Sequence, residues 1–419
     1  MPPLYLTVIF AAALLAMVGT KLWLAGRQIR FVASHRGEVP RQFTGTIALD
    51  AHLRAADYTI ARTRLGMLEV VVGAAVTIGL TLLGGVQALN LVVSDLLGHG
   101  YAAQIGLVAV VVAIASAIDI PFDYYRQFVV EERFGFNRMT KAIFFADLAK
   151  GTVLGAAFGL PLVFIVLWLM EQAGSLWWFW AWAVLVAFQL LVLVLYPTLI
   201  APLFNKFEPL TDEALKDRIE ALMKRCGFAA KGLFVMDGSR RSAHGNAYFT
   251  GFGAAKRIVF FDTLIARLSG SEIEAVLAHE LGHFKRRHVV KRMIVTFALS
   301  LALLALLGWL TQRTWFYEGL GVEPSLTASN NGLALVLFFV ALPVFLFFVT
   351  PLGSLSSRKH EFEADAFAAS QTDARALVDA LVKLYEDNAS TLTPDPLYTA
   401  FYYSHPPASQ RIDRLLRHA

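Results

Sequence analysis

The chain has 419 residues, of which 57% are hydrophobic and only 16% charged, with a mean hydropathy of +0.56. Those proportions exclude an ordinary soluble domain and a disordered chain, and they point to a membrane protein. The net charge of +5 and pI near 9.2 come without a basic and aromatic binding motif, so no nucleic-acid partner is expected, and the single cysteine, Cys226, excludes an internal disulfide.

Crossing about 30 Å of hydrocarbon takes roughly 20 apolar helical residues. Seven stretches meet that need, predicted at Leu4 to Leu24, Val70 to Ser94, Ala102 to Ile118, Thr152 to Met170, Trp177 to Ile200, Met293 to Leu310 and Leu333 to Leu352. The first begins Met1-Pro2-Pro3-Leu4, without a basic start or a small-residue cleavage site, and is expected to be a retained span. Lys21, Arg27, Arg30, Arg36, Arg41, Arg54, Arg62 and Arg64 follow it, which predicts a cytoplasmic side there and an N-terminus outside. Counting spans then puts segments 119–151, 201–292 and 353–419, all rich in Lys and Arg, on the cytoplasmic side. The opposite loops hold Arg313 alone among Lys and Arg. Trp177, Trp178, Trp180 and Trp182 suit an interfacial anchor in the bilayer.

The chain divides into a five-span membrane region, 1–200, and a second domain, 201–419, with two further spans and a tail. It contains no internal repeat. In the polar segment, a helix is predicted over Thr211 to Cys226, with Thr211 or Asp212 as cap and Gly227 as stop. Gly232 to Val235 suggests a strand, and Ala247 to Asp262, broken at Gly251, Gly253 and Ala254, a hairpin. Ser271 to Arg287 reads as a helix capped by Ser271 with Glu274 and striped by Ile273, Val276, Leu277 and Leu281.

On that helix sits His279-Glu280-Leu281-Gly282-His283. Histidines four apart differ by about 40° around a helix, so both imidazoles can reach one zinc, while Glu280 points about 100° from His279 and can act as general base on a water the metal activates. Three polar residues on a solvated face would give the same pattern, so a third ligand is needed. Glu361 and Asp365, in His360-Glu361-Phe362-Glu363-Ala364-Asp365, share a helix face just after the last span, and two crossings return the chain to the side of His283. One carboxylate can bind zinc and the other can fix the tautomer of a ligand histidine. His360 and Glu363 point elsewhere on the wheel.

Together with Phe134-Gly135-Phe136-Asn137-Arg138-Met139-Thr140, Pro202-Leu203-Phe204-Asn205-Lys206-Phe207, Arg241 to Gly251, Ser357 to Asp365 and Ser404-His405-Pro406-Pro407, these residues give nearly the whole chain a resemblance. The chain resembles the integral-membrane CaaX prenyl proteases of type I, zinc metalloproteases that cut prenylated proteins near the C-terminus. The resemblance implies an all-α polytopic membrane protein with seven helices forming a barrel around a large chamber, and a cytoplasmic zinc site beside a small β-hairpin. It implies one Zn2+ held by His279, His283 and Glu361, with Glu280 as base and Asp365 behind a ligand histidine. Asn246 and His405 would stand near the oxyanion, and Ala247, Tyr248 and Phe249 would pair with the substrate backbone. In a bacterium the membrane would be the inner one, and the substrate could instead be a misfolded membrane polypeptide cut for quality control. A transporter would carry charges at mid-membrane and repeat-related halves, and an inactive scaffold would have no use for Glu280.

Overall fold

The computed structural model describes residues 1–230, 232–250 and 257–417. Two helices of 32 residues open the chain: α1 (Pro3–Ser34), started by a proline at its first position, and α2 (Leu49–Leu80). At 1.5 Å per residue each is about 48 Å long, more than a bilayer's hydrocarbon needs. Their surplus carries polar residues beyond it, among them Arg27, Gln28, Tyr58 and Arg62.

This corrects the second predicted span. The apolar run from Val70 to Ser94 is two helices, because the chain turns at Thr81 to Gly84 before α3 (Gly85–Leu97). Gly84 takes φ +75°, and a Cβ on Gly85 would lie 2.4 Å from the Gly79 carbonyl oxygen. Glycine is what lets an apolar chain reverse there. The missing length comes from the other end, where α2 runs back through Arg64, Arg62 and Arg54 into residues expected to be loop.

The ring continues with α4 (Tyr101–Tyr125), which contains Pro121 and passes into a π-helical turn at Arg126–Glu131. Next come α5 (Lys141–Gln172) and α6 (Trp177–Leu195). After a short β1 (Phe207–Pro209), α7 (Glu213–Cys226) is capped by Asp212, which accepts from Leu215 N–H, and is closed by Gly227 at φ +65°. Strands β2 (Gly232–Met236), β3 (Ala247–Thr250) and β4 (Arg257–Phe261) join β1 in one sheet of order β1-β2-β4-β3. β2 runs parallel to β4, and β3 pairs antiparallel with β4, Ala247 opposite Phe260, leaving β3 on the edge. The expected hairpin is therefore present, while Gly251, Gly253 and Ala254 lie outside the described residues.

Helices α8 (Asp262–Arg267), α9 (Gly270–Lys285), α10 (His288–Leu310), α11 (Thr314–Glu318), α12 (Asn331–Leu346), α13 (Thr350–Gln371), α14 (Ala374–Asp387), α15 (Pro396–Tyr402) and α16 (Ala408–Leu415) complete the chain. Among the described residues, seven helices are long and apolar enough to cross a membrane. Packing closes them into a ring in the order α1, α2, α4, α5, α6, α10, α12, with α3 and the π-helical turn at Arg126–Glu131 bridging α2 to α4, and with α12 also resting on α4. One end of the ring is filled by an apolar cluster from α1, α4, α5, α10, α11 and α12, including Phe10, Leu107, Leu167, Leu307, Phe316 and Leu337. A second core under the sheet joins α7, α9 and α14 through Ile219, Leu222, Ile258, Phe260, Leu277 and Leu377. Arg241 ties this core to the ring by two bonds to Asp147 on α5, at 2.9 and 3.1 Å.

Candidate metal centre

The cap of α9 lies two residues earlier than predicted. Ser269, extended at φ −70° and ψ 162°, accepts from Glu272 N–H, and the Glu272 carboxylate accepts from Ser269 N–H at 2.7 Å. Glu274, expected in that role, instead pairs with Arg218 and Arg225 of α7 at 2.9 and 2.7 Å. Glu272 is the better placed acid because it also binds Lys383 on α14 at 2.7 Å. Ile273, Leu277, Ala278 and Leu281 are buried.

The face that matters is set by Gly282. A Cβ there would lie 2.9 Å from Ala364 Cα and 3.0 Å from its carbonyl oxygen, so α13 rests directly on the α9 backbone. That contact brings Glu361 and Asp365, one turn apart on α13, against His279 and His283, one turn apart on α9.

Three side chains converge. His279 Nε2 lies 3.2 Å from His283 Nε2 and 3.4 Å from Glu361 Oε2, and His283 Nε2 lies 3.2 Å from Glu361 Oε1. A tetrahedral ion with bonds of about 2.0–2.1 Å has ligand atoms about 3.3–3.4 Å apart, so the two nitrogens and the Glu361 carboxylate, whose ligand atoms all lie within 4.8 Å of one another, are spaced to share one zinc. Glu361 Oε2 is buried and has no hydrogen-bond donor among the described residues, an arrangement a cation relieves.

Both imidazoles are held from behind. His279 Nδ1 is 2.8 Å from Asp365 Oδ1, which assigns the proton to Nδ1 and leaves the Nε2 lone pair toward the candidate metal position. Asp365 is itself gripped by Arg411 of α16, Nη2 to Oδ1 at 2.6 Å and Nε to Oδ2 at 2.8 Å. His283 Nδ1 is 3.1 Å from His288 Nδ1, and His288 Nε2 is 3.0 Å from Glu363 Oε2. With Glu363 accepting from His288 Nε2–H, His288 Nδ1 accepts from His283 Nδ1–H, and the second Nε2 lone pair is freed. His360 stacks on His288 with ring centroids 4.0 Å apart. Burial disfavours a charged His279 ring, yet the adjoining Asp365 and Glu361 carboxylates outweigh it and push its pKa up to about 9. A bound cation would feel the same negative field.

A cavity of about 810 Å3 opens beside these side chains. Glu280, half-buried, lies on its wall, as do Asn246, Ala247 and His405. His405 Nε2 is 3.5 Å from Glu361 Oε1, and its Nδ1 is 3.0 Å from Ser404 Oγ. The ring is 62% exposed. The enclosing protein, with Arg411, His279 and His283, still holds its pKa below the ordinary histidine value against the pull of Glu361. Asn246 Oδ1 accepts from Ala247 N–H at 2.9 Å at the start of β3. Tyr248 and Phe249 do not line the cavity: the Tyr248 hydroxyl is 3.8 Å from Met236 Sδ, and Phe249 packs edge-on against Phe228.

Arg411 and His288 escape sequence reasoning. Arg411 stands six residues after His405 with no spacing that ties it to α13. His288 lies beyond the end of α9, after Arg287 at φ +56° has redirected the chain into α10. A histidine five residues past a metal-binding motif was the only available signal.

The comparisons with known proteins agree over nearly all of the chain. A family model described as CAAX prenyl protease N-terminal, five membrane helices, matches residues 28–206, and that of peptidase family M48 matches residues 209–419. A CAAX prenyl protease 1 homolog of Dictyostelium discoideum is 39% identical over 309 residues, which cover 73% of this chain and 71% of that protein. CAAX prenyl protease 1 of Saccharomyces cerevisiae is 37% identical over 315 residues, 72% of this chain and 70% of that protein. The crystal structure of S. mikatae Ste24p is similar with a TM-score of 0.92 at 30% identity, over 98% of this chain and 99% of that one.

Proposed function

This chain belongs to peptidase family M48 and is a membrane protease of the CAAX prenyl protease 1 type, and from that premise we propose that His279, His283 and Glu361 hold one catalytic zinc ion. The observation that carries this reading is the convergence of their two Nε2 atoms and the Glu361 carboxylate, at separations of 3.2–3.4 Å beside an open cavity. Zinc held there would supply Lewis acidity, polarising the scissile carbonyl and acidifying water.

The rest of the chemistry belongs to side chains. Glu280 takes a proton from the attacking water as its oxygen bonds to the peptide carbon, then delivers that proton to the leaving nitrogen as the C–N bond breaks. The products are a carboxylate and an amine. Asp365, clamped by Arg411, and the His288–Glu363 pair keep His279 and His283 in the tautomers that metal binding needs. His405 and Asn246 donate hydrogen bonds to the carbonyl oxygen as it gains charge. The free edge of β3 from Ala247 to Phe249 pairs with the extended substrate, whose side chains alternate toward and away from the cavity.

The proposed orientation has the N-terminus outside and the site facing the cytoplasm. With the observed helix ends, the loops on the other face, 81–100, 173–176 and 311–330, hold only Arg313 among Lys and Arg. Identity to proteins named CAAX prenyl protease 1 favours a prenylated C-terminal substrate over a misfolded one. The test is cleavage by the purified protein in lipid bilayers of a farnesylated C-terminal peptide, its unprenylated twin and an unfolded membrane polypeptide. The farnesylated peptide is expected to be cut fastest; cleavage of the unfolded polypeptide alone would overturn the assignment.

A further inference from the structure

One cation on the cavity wall has no part in the chemistry above. Lys21 on α1 shares with Ala25 and Gln28, four and seven residues on, the face that lines the cavity. It is the only charged residue from Pro3 to Leu24, in a membrane-crossing stretch where an ionisable group is costly unless it has a partner or a function.

The cavity's other Lys and Arg side chains are occupied. Arg411 is held by both oxygens of Asp365. Arg62 Nη1 donates to the Tyr58 hydroxyl at 3.5 Å. Lys21 has no carboxylate within ion-pair distance among the described residues, and its ammonium stands 5.3 Å from the centroid of the Phe347 ring. That ring stacks on Phe401 of α15 at 5.7 Å, four residues before His405. Lys21 also lines the same cavity of about 810 Å3 as His279, Glu280, Glu361 and His405, so one bound peptide can meet both ends of it. There is also room in front of the ammonium. α1 and α2 run antiparallel with His52 Nε2 at the His35 carbonyl, 3.1 Å away, which sets Gly66 about level with Lys21. A Cβ on Gly66 would meet nothing within 4 Å.

We propose that Lys21 binds the α-carboxylate at the end of the substrate peptide, fixing the chain terminus so that a bond a few residues upstream lies at Glu280. The inference rests on the protease reading and sharpens it: an unpaired ammonium at a fixed depth measures the distance from the cut to the chain end. A single positive charge with open space in front of it matches a single carboxylate better than the backbone of a long internal segment.

The test compares dissociation constants of two prenylated peptides, identical except for a C-terminal carboxylate or carboxamide, on the Glu280→Gln protein with and without Lys21→Met. The carboxylate peptide is expected to bind about tenfold or more tightly than the carboxamide. Lys21→Met is expected to abolish that preference without changing carboxamide binding, and Lys21→Arg to retain it. A preference that survives Lys21→Met, equal binding of both peptides to the Lys21 protein, or an equal loss for both peptides would overturn the assignment. Because binding is read without cleavage, failure of the wild-type protein to cut either peptide strikes the protease reading separately.

Discussion

The membrane ring and the α9–α13 pair are built in opposite ways. Only 6% of the most apolar stretch of α2 is buried within the protein, since a ring one helix thick meets lipid on one side and its own chamber on the other. On α9 and α13 nearly every side chain at the contact is specified, down to a glycine with no room for a methyl group. In the ring, apolar character is sufficient for most positions, and the informative residues are polar exceptions such as Lys21. In the helix pair, position itself is the function, because a metal site tolerates little misplacement of its ligands.

Substitutions break or sharpen this contrast. The largest effect is expected for Arg411→Ala, which leaves the buried Asp365 with His279 as its remaining partner and without its cation; losing one partner of a buried ion pair costs about 3–5 kcal/mol, to be read from unfolding in detergent. Gly282→Ala inserts a methyl group between α9 and α13 and is expected to cost about 1–3 kcal/mol, with a parallel fall in bound metal. Val295→Ala, on the exposed face of α10, should stay within about 0.5 kcal/mol in the same unfolding measurement. A loss at Val295 as large as that at Gly282 would erase the distinction between ring and pair.

Much of this was legible in the chain, and the reasons differ by region. The spans could be counted because apolar length is a one-dimensional property. The end of α2 could not be placed, because polar residues facing a water-filled chamber look like a loop and a glycine turn inside an apolar run leaves no polar mark. His279, Glu280 and His283 stood out because one helix carries all three. Glu361 and Asp365 could be brought to the same side by counting crossings, though their division of roles came from the resemblance. The capping box was misassigned between two overlapping Ser and Glu pairs, and tertiary partners decide between them: Glu272 meets Lys383, whereas Glu274 meets Arg218 and Arg225. Arg411 and the His288–Glu363 pair act through contacts between separate helices, which no spacing within one segment encodes.

The account turns on a metal held by His279, His283 and Glu361 with Glu280 as base. Its most direct test measures bound zinc and peptide cleavage together in the wild-type, Glu280→Gln and Glu361→Ala proteins. The expected result is one zinc per chain in the first two, with cleavage lowered by about 10²–10⁴-fold in Glu280→Gln, and loss of both metal and cleavage in Glu361→Ala. Full cleavage by Glu280→Gln, or unchanged zinc in Glu361→Ala, would contradict it.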